Sequence, residues 1–237
     1  MAELVPLVRA KFGANLVALA ATASYARGED AAYSDLELTA FVARMPEGQR
    51  WGSVGKIRDG LLVELIWTTK EIYLADTREV TANWYLAGSD TLLPLINRPF
   101  IEELNAYKVE NLREKCLARA AKHWHEAQEA TAKVLNAIPA CNREGVPLLV
   151  FDMLRHMLIV LSFLNQTSYV TFARFVSQAQ AFKLKPAGFD ALVAIVVEGT
   201  YQDLPALERN VVRVFSEFEA LFAALGIELY DKDLAPL

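Results

Sequence analysis

Up to about residue 98 the chain alternates short apolar runs with turn-forming residues; beyond it, apolar positions recur at helical spacing with little interruption. Residues 4–12 have the spacing of a helix, stopped by Gly13, and residues 16–21 form an apolar run of strand length. The polar stretch 24–30 reads as a turn. In residues 34–42 acidic or polar positions alternate with apolar ones, which predicts a strand with one solvated face. Residues 54–57 and 61–67 flank Arg58-Asp59-Gly60, and an Asp-Gly pair between apolar runs is a strong hairpin signal. Residues 69–84 have helical spacing, and 92–96 form a further strand.

After Pro99 the residues 101–138 are rich in Ala, Leu, Glu and Lys, good helix formers, and predict two helices. Pro147 stands near the start of the next helix, where proline is tolerated. Residues 171–182, 189–197 and 204–225 complete the set, with Gly226 as a C-terminal stop. Strands followed by helices predict an α+β fold in two parts, a mixed sheet with helices over residues 1–98 and a helical bundle over 99–237.

Composition narrows the function classes. With 54% hydrophobic residues and 22% charged ones the chain is far from a disordered composition. Its net charge is −5 and its Lys and Arg are dispersed, which argues against nucleic acid as a partner. Two cysteines, Cys116 and Cys141, lack any metal-ligand or disulfide spacing and read as reduced, partly buried thiols. Residues 146–164 are nearly long enough to span a bilayer. Asp152, Arg155 and His156 interrupt them, however, and leave too short an apolar run for the roughly 20 residues a span needs. The start, Met1-Ala-Glu-Leu-Val, has no basic stretch followed by an apolar run, so a cytoplasmic protein with no membrane partner is the expectation.

The candidate chemistry is carried by carboxylates. Asp35 and Glu37, two apart on a predicted strand, share a face about 7 Å apart along the chain. Two acids that close resist joint ionisation unless a cation lies between them, and Mg²⁺ suits one or two carboxylates plus substrate phosphates. Glu64 sits among apolar neighbours in Leu61-Leu62-Val63-Glu64-Leu65-Ile66-Trp67, and a third acid could join the pair if the two strands are adjacent. From spacing alone, a wet edge strand explains these acids equally well. The preceding segment, Ser24 to Asp30, adds a hydroxyl, backbone N–H groups and the Arg27 guanidinium, all suited to phosphate oxygens. Further along, Glu126, Glu129 and Lys133 lie at i, i+3 and i+7 on one helical face, a spacing that also describes an ordinary solvated stripe. His123 and His125 do not face each other, and His156 reads as a core or interface histidine. Gly52-Ser-Val-Gly-Lys-Ile57 fails the phosphate-loop pattern at Arg50 and at Ile57. Trp51, Trp67 and Trp84 read as packing residues, or at most as a nucleotide or sugar platform.

Ser24-Tyr-Ala-Arg-Gly-Glu-Asp30 followed by Tyr33-Ser-Asp-Leu-Glu37 resembles the nucleotidyltransferase signature, a Gly-Ser turn before an acidic pair on a strand. The Asp-x-Glu form is similar to that of aminoglycoside 4′-nucleotidyltransferases of the kanamycin nucleotidyltransferase type. Tyr169-Val-Thr171, Lys185-Pro-Ala-Gly-Phe-Asp190 and Leu225-Gly-Ile227 resemble the C-terminal helical domain of that family. The resemblance implies a polymerase-β-like catalytic domain over 1–98, with Ser24 and Arg27 on the nucleotide phosphates and Asp35 and Glu37 on Mg²⁺. Glu64 becomes the third acid and a substrate-binding residue. In the helical half it makes Glu129 the general base, Lys133 a second phosphate contact, Glu126 an acid facing the cationic substrate and Thr171 a hydroxyl near the nucleotide. It also implies a homodimer whose active site lies at the interface, with the base supplied by the partner subunit. Ala23 departs from the pattern, because the superfamily has Gly there and a methyl group crowds the approach of phosphate to backbone.

The implied activity is an adenylyltransferase, with ATP as co-substrate and Mg²⁺ as cofactor, that modifies an aminoglycoside hydroxyl and so gives antibiotic resistance. A lincosamide or a protein as acceptor is one alternative. A nucleotidyltransferase-like module that binds without catalysis is another.

Overall fold

The computed structural model describes residues 3–88 and 90–230. The opening residues read for a secretion signal therefore lie partly outside the described residues. The chain forms two compact units, Met1–Glu110 and Asn111–Leu237.

The first unit is built on a five-stranded sheet in the order β3-β4-β2-β1-β5. Its strands are β1 (Leu16–Ala21), β2 (Leu36–Val42), β3 (Gly52–Arg58), β4 (Leu61–Thr68) and β5 (Leu93–Ile96). β2 and β4 run parallel, while the other neighbours are antiparallel. The β3–β4 hairpin turns at Asp59 (φ 50°) and Gly60 (φ 81°), the paired positive φ values that match the twist of the flanking strands.

Alternation across the strands produces two packed faces. On one, Leu38, Ala40 and Leu65 pack with Val8 of α1 (Leu4–Phe12). On the other, Ala18, Ala20 and Phe41 pack with Tyr73, Leu92, Ile101 and Leu104. The solvated face expected for β2 is therefore absent: the strand lies in the middle of the sheet, and every residue but Glu37 is buried.

Two further expectations change. The turn at 24–30 contains a short helix, α2 (Ala23–Arg27), closed by Gly28 in the left-handed region. The helix expected at 69–84 breaks into α3 (Lys70–Tyr73), a wide turn at Leu74–Arg78, and α4 (Trp84–Ala87). Side chains compete there for backbone groups. The Thr77 hydroxyl donates to the Tyr73 carbonyl at 2.7 Å and that of Thr81 to the Asp76 carbonyl at 3.3 Å. The composition change near residue 98 marks the start of α5 (Arg98–Ala106), which belongs to the first unit and packs on β1 and β5.

The second unit contains α6 (Leu112–Ala137), α7 (Val146–Leu164), α8 (Phe175–Ala181), α9 (Phe189–Glu198) and α10 (Leu204–Ala224). α7 is long and apolar enough to cross a membrane, yet most of it is buried as the core of this unit. Trp124 of α6 stacks on Phe215 of α10 with ring centroids 5.1 Å apart. Asp203 caps α10 by accepting the Ala206 N–H at 2.9 Å, and Gly226 (φ 71°) follows its end. Both cysteines are free; Cys116 is buried, whereas Cys141 is exposed rather than partly buried.

Candidate active site

Parallel pairing of the central strands sets the acids side by side. Glu37 of β2 is in register with Glu64 of β4, and neighbouring strands lie about 4.8 Å apart. Asp35 stands just before β2, whose first residue is Leu36, so it adjoins the strand rather than lying within it. Burial raises the Glu37 pKa above its ordinary value, and the charges of Asp35, Asp90 and Glu64 raise it further. A hydrogen bond from the Thr22 hydroxyl at 3.3 Å acts the other way. The Thr22 N–H also donates to the Glu37 carbonyl at 3.0 Å. The residue before the turn is thus tied to the acid strand at two points.

Asp90 carries no motif and sequence reading passes over it. Its pKa is raised by burial, while Arg78, the Ala23 N–H and Arg27 pull it down. Arg78 is itself buried, its Nη1 donating to the Gly88 carbonyl at 3.4 Å. Its Nε and Nη2 have no hydrogen-bond partner among the described residues. A half-buried carboxylate and a buried guanidinium twelve residues apart, each within a polar stretch, leave no periodic trace in a sequence.

Ala23 stands at φ 54°, a region that costs a residue with a Cβ about 1–2 kcal/mol. The departure noted at this position thus coincides with backbone geometry that glycine accommodates freely. Ser24 is half-buried in α2. Arg27 is held by Glu29, with Nε donating to the carboxylate at 2.8 Å, a pair that engages only one of the five N–H donors of the guanidinium.

In the second unit, Glu129 and Lys133 of α6 form an ion pair at 2.8 Å, each about half exposed. Lys133 lowers the pKa of Glu129, and Glu129 raises that of Lys133. Glu126 is exposed and acts on Lys133 electrostatically. Thr171 precedes the short turn Phe172–Arg174. Beside them lies a pair the sequence does not reveal. His156 Nδ1 of α7 is 3.0 Å from His123 Nε2 of α6. Burial, with neighbouring cations, pushes His123 down to about 4.

Chemically, the sheet provides a concentration of carboxylates that a divalent cation would relieve. Among the described residues no three His, Cys, Asp or Glu side chains are grouped to hold a metal unaided. The donor set still fits Mg²⁺, which takes one or two carboxylates and completes its shell with phosphates and water.

The motif residues of the helical half act as fasteners. The Tyr169 hydroxyl donates to the Leu158 carbonyl at 2.7 Å, Lys185 pairs with Asp190 at 2.8 Å, and the Gly188 N–H donates to Glu217 at 2.6 Å.

No curated protein matches the chain. Among solved structures, it is similar to a nucleotidyltransferase-like protein from Exiguobacterium sibiricum, with 10% identity and a TM-score of 0.52 over 94% of this chain and 74% of that one. This likeness establishes the fold, a nucleotidyltransferase-like mixed sheet with a helical C-terminal part. The family model for the KNTase C-terminal domain matches residues 106–228. With more than half its length inside that match, the chain belongs to the KNTase C-terminal domain family, within the nucleotidyltransferase superfamily.

Proposed function

We propose that this protein transfers AMP from ATP to a hydroxyl of an aminoglycoside, the 4′ position in the first instance, and thereby confers resistance. The observation that carries the reading is the parallel register of Glu37 with Glu64, with Asp35 alongside, beside the Ser24–Arg27 turn.

Asp35 and Glu37 would hold Mg²⁺. When bound, the ion neutralises charge on the phosphates and stabilises the leaving pyrophosphate. Ser24 and Arg27 orient the phosphate chain. The acceptor oxygen attacks the α-phosphorus in line, the bond to the bridging oxygen breaks, and pyrophosphate departs. The acceptor proton passes to Glu129, supplied by the partner subunit in a homodimer. The resting Glu129–Lys133 pair gives this assignment a consequence: Lys133 exchanges the carboxylate for phosphate as the site fills. Glu126, Glu64 and Asp90 add negative charge, which suits the ammonium groups of an aminoglycoside. Thr171 is the second hydroxyl assigned to the nucleotide.

The test is a panel of aminoglycosides, lincosamides and protein acceptors incubated with ATP and Mg²⁺ and read by mass spectrometry. An aminoglycoside gaining one AMP, and losing that gain with Asp35→Asn, supports the reading. Unimpaired transfer by Asp35→Asn overturns the metal assignment. The Ala23 methyl group and the Arg27–Glu29 pair favour a second reading, a module that binds nucleotide without turnover. ATP binding with no acceptor modified would select it.

A further inference from the structure

We propose that the sheet face opposite the acids carries a second binding site, for a small anionic amphiphile of the medium-chain carboxylate class. This inference is independent of the catalytic reading.

Alternation along β3 and β4 sends Val54, Lys56 and Arg58 to the same side as Val63 and Leu65, toward α1. The result is a cavity of about 430 Å³ between α1 and the sheet, within the range of roughly 300–1,000 Å³ that small-molecule sites occupy. Its walls are aliphatic, from Leu4, Leu7 and Val8 on the helix to Leu38 and Leu65 on the sheet. Its polar lining consists of Lys11, Lys56 and Arg58, and among the described residues no acid lines it.

The three cations are weakly engaged. Arg58 meets Glu3 at 3.1 Å, but Glu3 is 82% exposed, and such surface pairs contribute little. Lys11 Nζ lies 4.8 Å from the centroid of the Trp67 ring. Lys56 is exposed, with no ion pair among the described residues. A carboxylate head would pair with these cations while an alkyl chain replaced water along the aliphatic walls. In a chain of net charge −5, an all-cationic apolar cavity selects for charge as well as for shape.

Titration calorimetry of the full chain with octanoate, decanoate and decyltrimethylammonium tests the proposal. Saturable decanoate binding is expected, about fourfold tighter per added methylene and weakened at least tenfold by Lys56→Glu with an unchanged circular dichroism spectrum. Leu7→Glu, an exposed change on the helical wall, provides a second variant and should weaken it as well. Absence of saturable binding to the wild type overturns the proposal, as does equal affinity for the cationic amphiphile. Self-association in sedimentation velocity that Lys56→Glu abolishes would assign the cavity to a second copy of the chain, and would also overturn it.

Discussion

At Ala23 a single methyl group bears on both local stability and ligand approach. The residue occupies the left-handed region at φ 54°. Ala23→Gly removes a strain of about 1–2 kcal/mol and returns about 0.4–1 kcal/mol through the freer unfolded chain. The expected result is a thermal midpoint unchanged or slightly raised, with tighter ATP binding by calorimetry. Glu37 offers a second test. Its native pKa lies above the ordinary glutamate value of 4.5, so between the two the native state holds more protons than the unfolded chain. Stability then falls as pH rises through that interval. Glu37→Gln should therefore raise the melting midpoint near about pH 7 and leave it unchanged below about pH 4, where both states are protonated. The i, i+2 spacing of Asp35 and Glu37 was legible in the sequence. The crowding of Glu37 by Asp90 was not, because the two residues are joined only by folding.

At the scale of elements, the hairpin was readable because Asp59-Gly60 satisfies a local geometric requirement. Gly60 stands at φ 81°, and Gly60→Ala is expected to lower stability by about 1 kcal/mol or more in denaturant unfolding. The segment 69–84 was misread for the opposite reason: its apolar spacing is helical, but Thr77 and Thr81 bond to backbone carbonyls and widen the turn. The face of α6 that carries Glu126, Glu129 and Lys133 was predicted from spacing, and the ion pair at 2.8 Å is what such spacing gives on any helix. Its chemical role needs kinetics. Glu129→Gln should reduce AMP transfer by about 10²–10⁴-fold while ATP binding persists. A loss of binding together with turnover would instead mark Glu129 as part of the nucleotide site.

For the whole molecule, the proposed metal site at the centre of the sheet would make magnesium a ligand of the native state. In the presence of a non-hydrolysable ATP analogue, adding Mg²⁺ is expected to raise the melting midpoint, by about 2.7 kcal/mol of stability at a hundredfold excess over Kd. Asp35→Asn should abolish that response, and a response of the same size in the variant would remove Asp35 from the metal site. The sequence by itself determined the order of strands before helices, the hairpin and the helix stops, because periodicity and turn chemistry act between near neighbours. It also supplied the acid–x–acid pair and the helical motifs that pointed to the family. Tertiary structure alone decided that β2 is central rather than an edge, and that it lies parallel to β4 with Glu37 beside Glu64. It also decided that half-buried Asp90 and buried Arg78 lie near them and that His123 meets His156. Those relations depend on which distant segments pair, and hydrophobic alternation records only that a strand has faces, not what covers them.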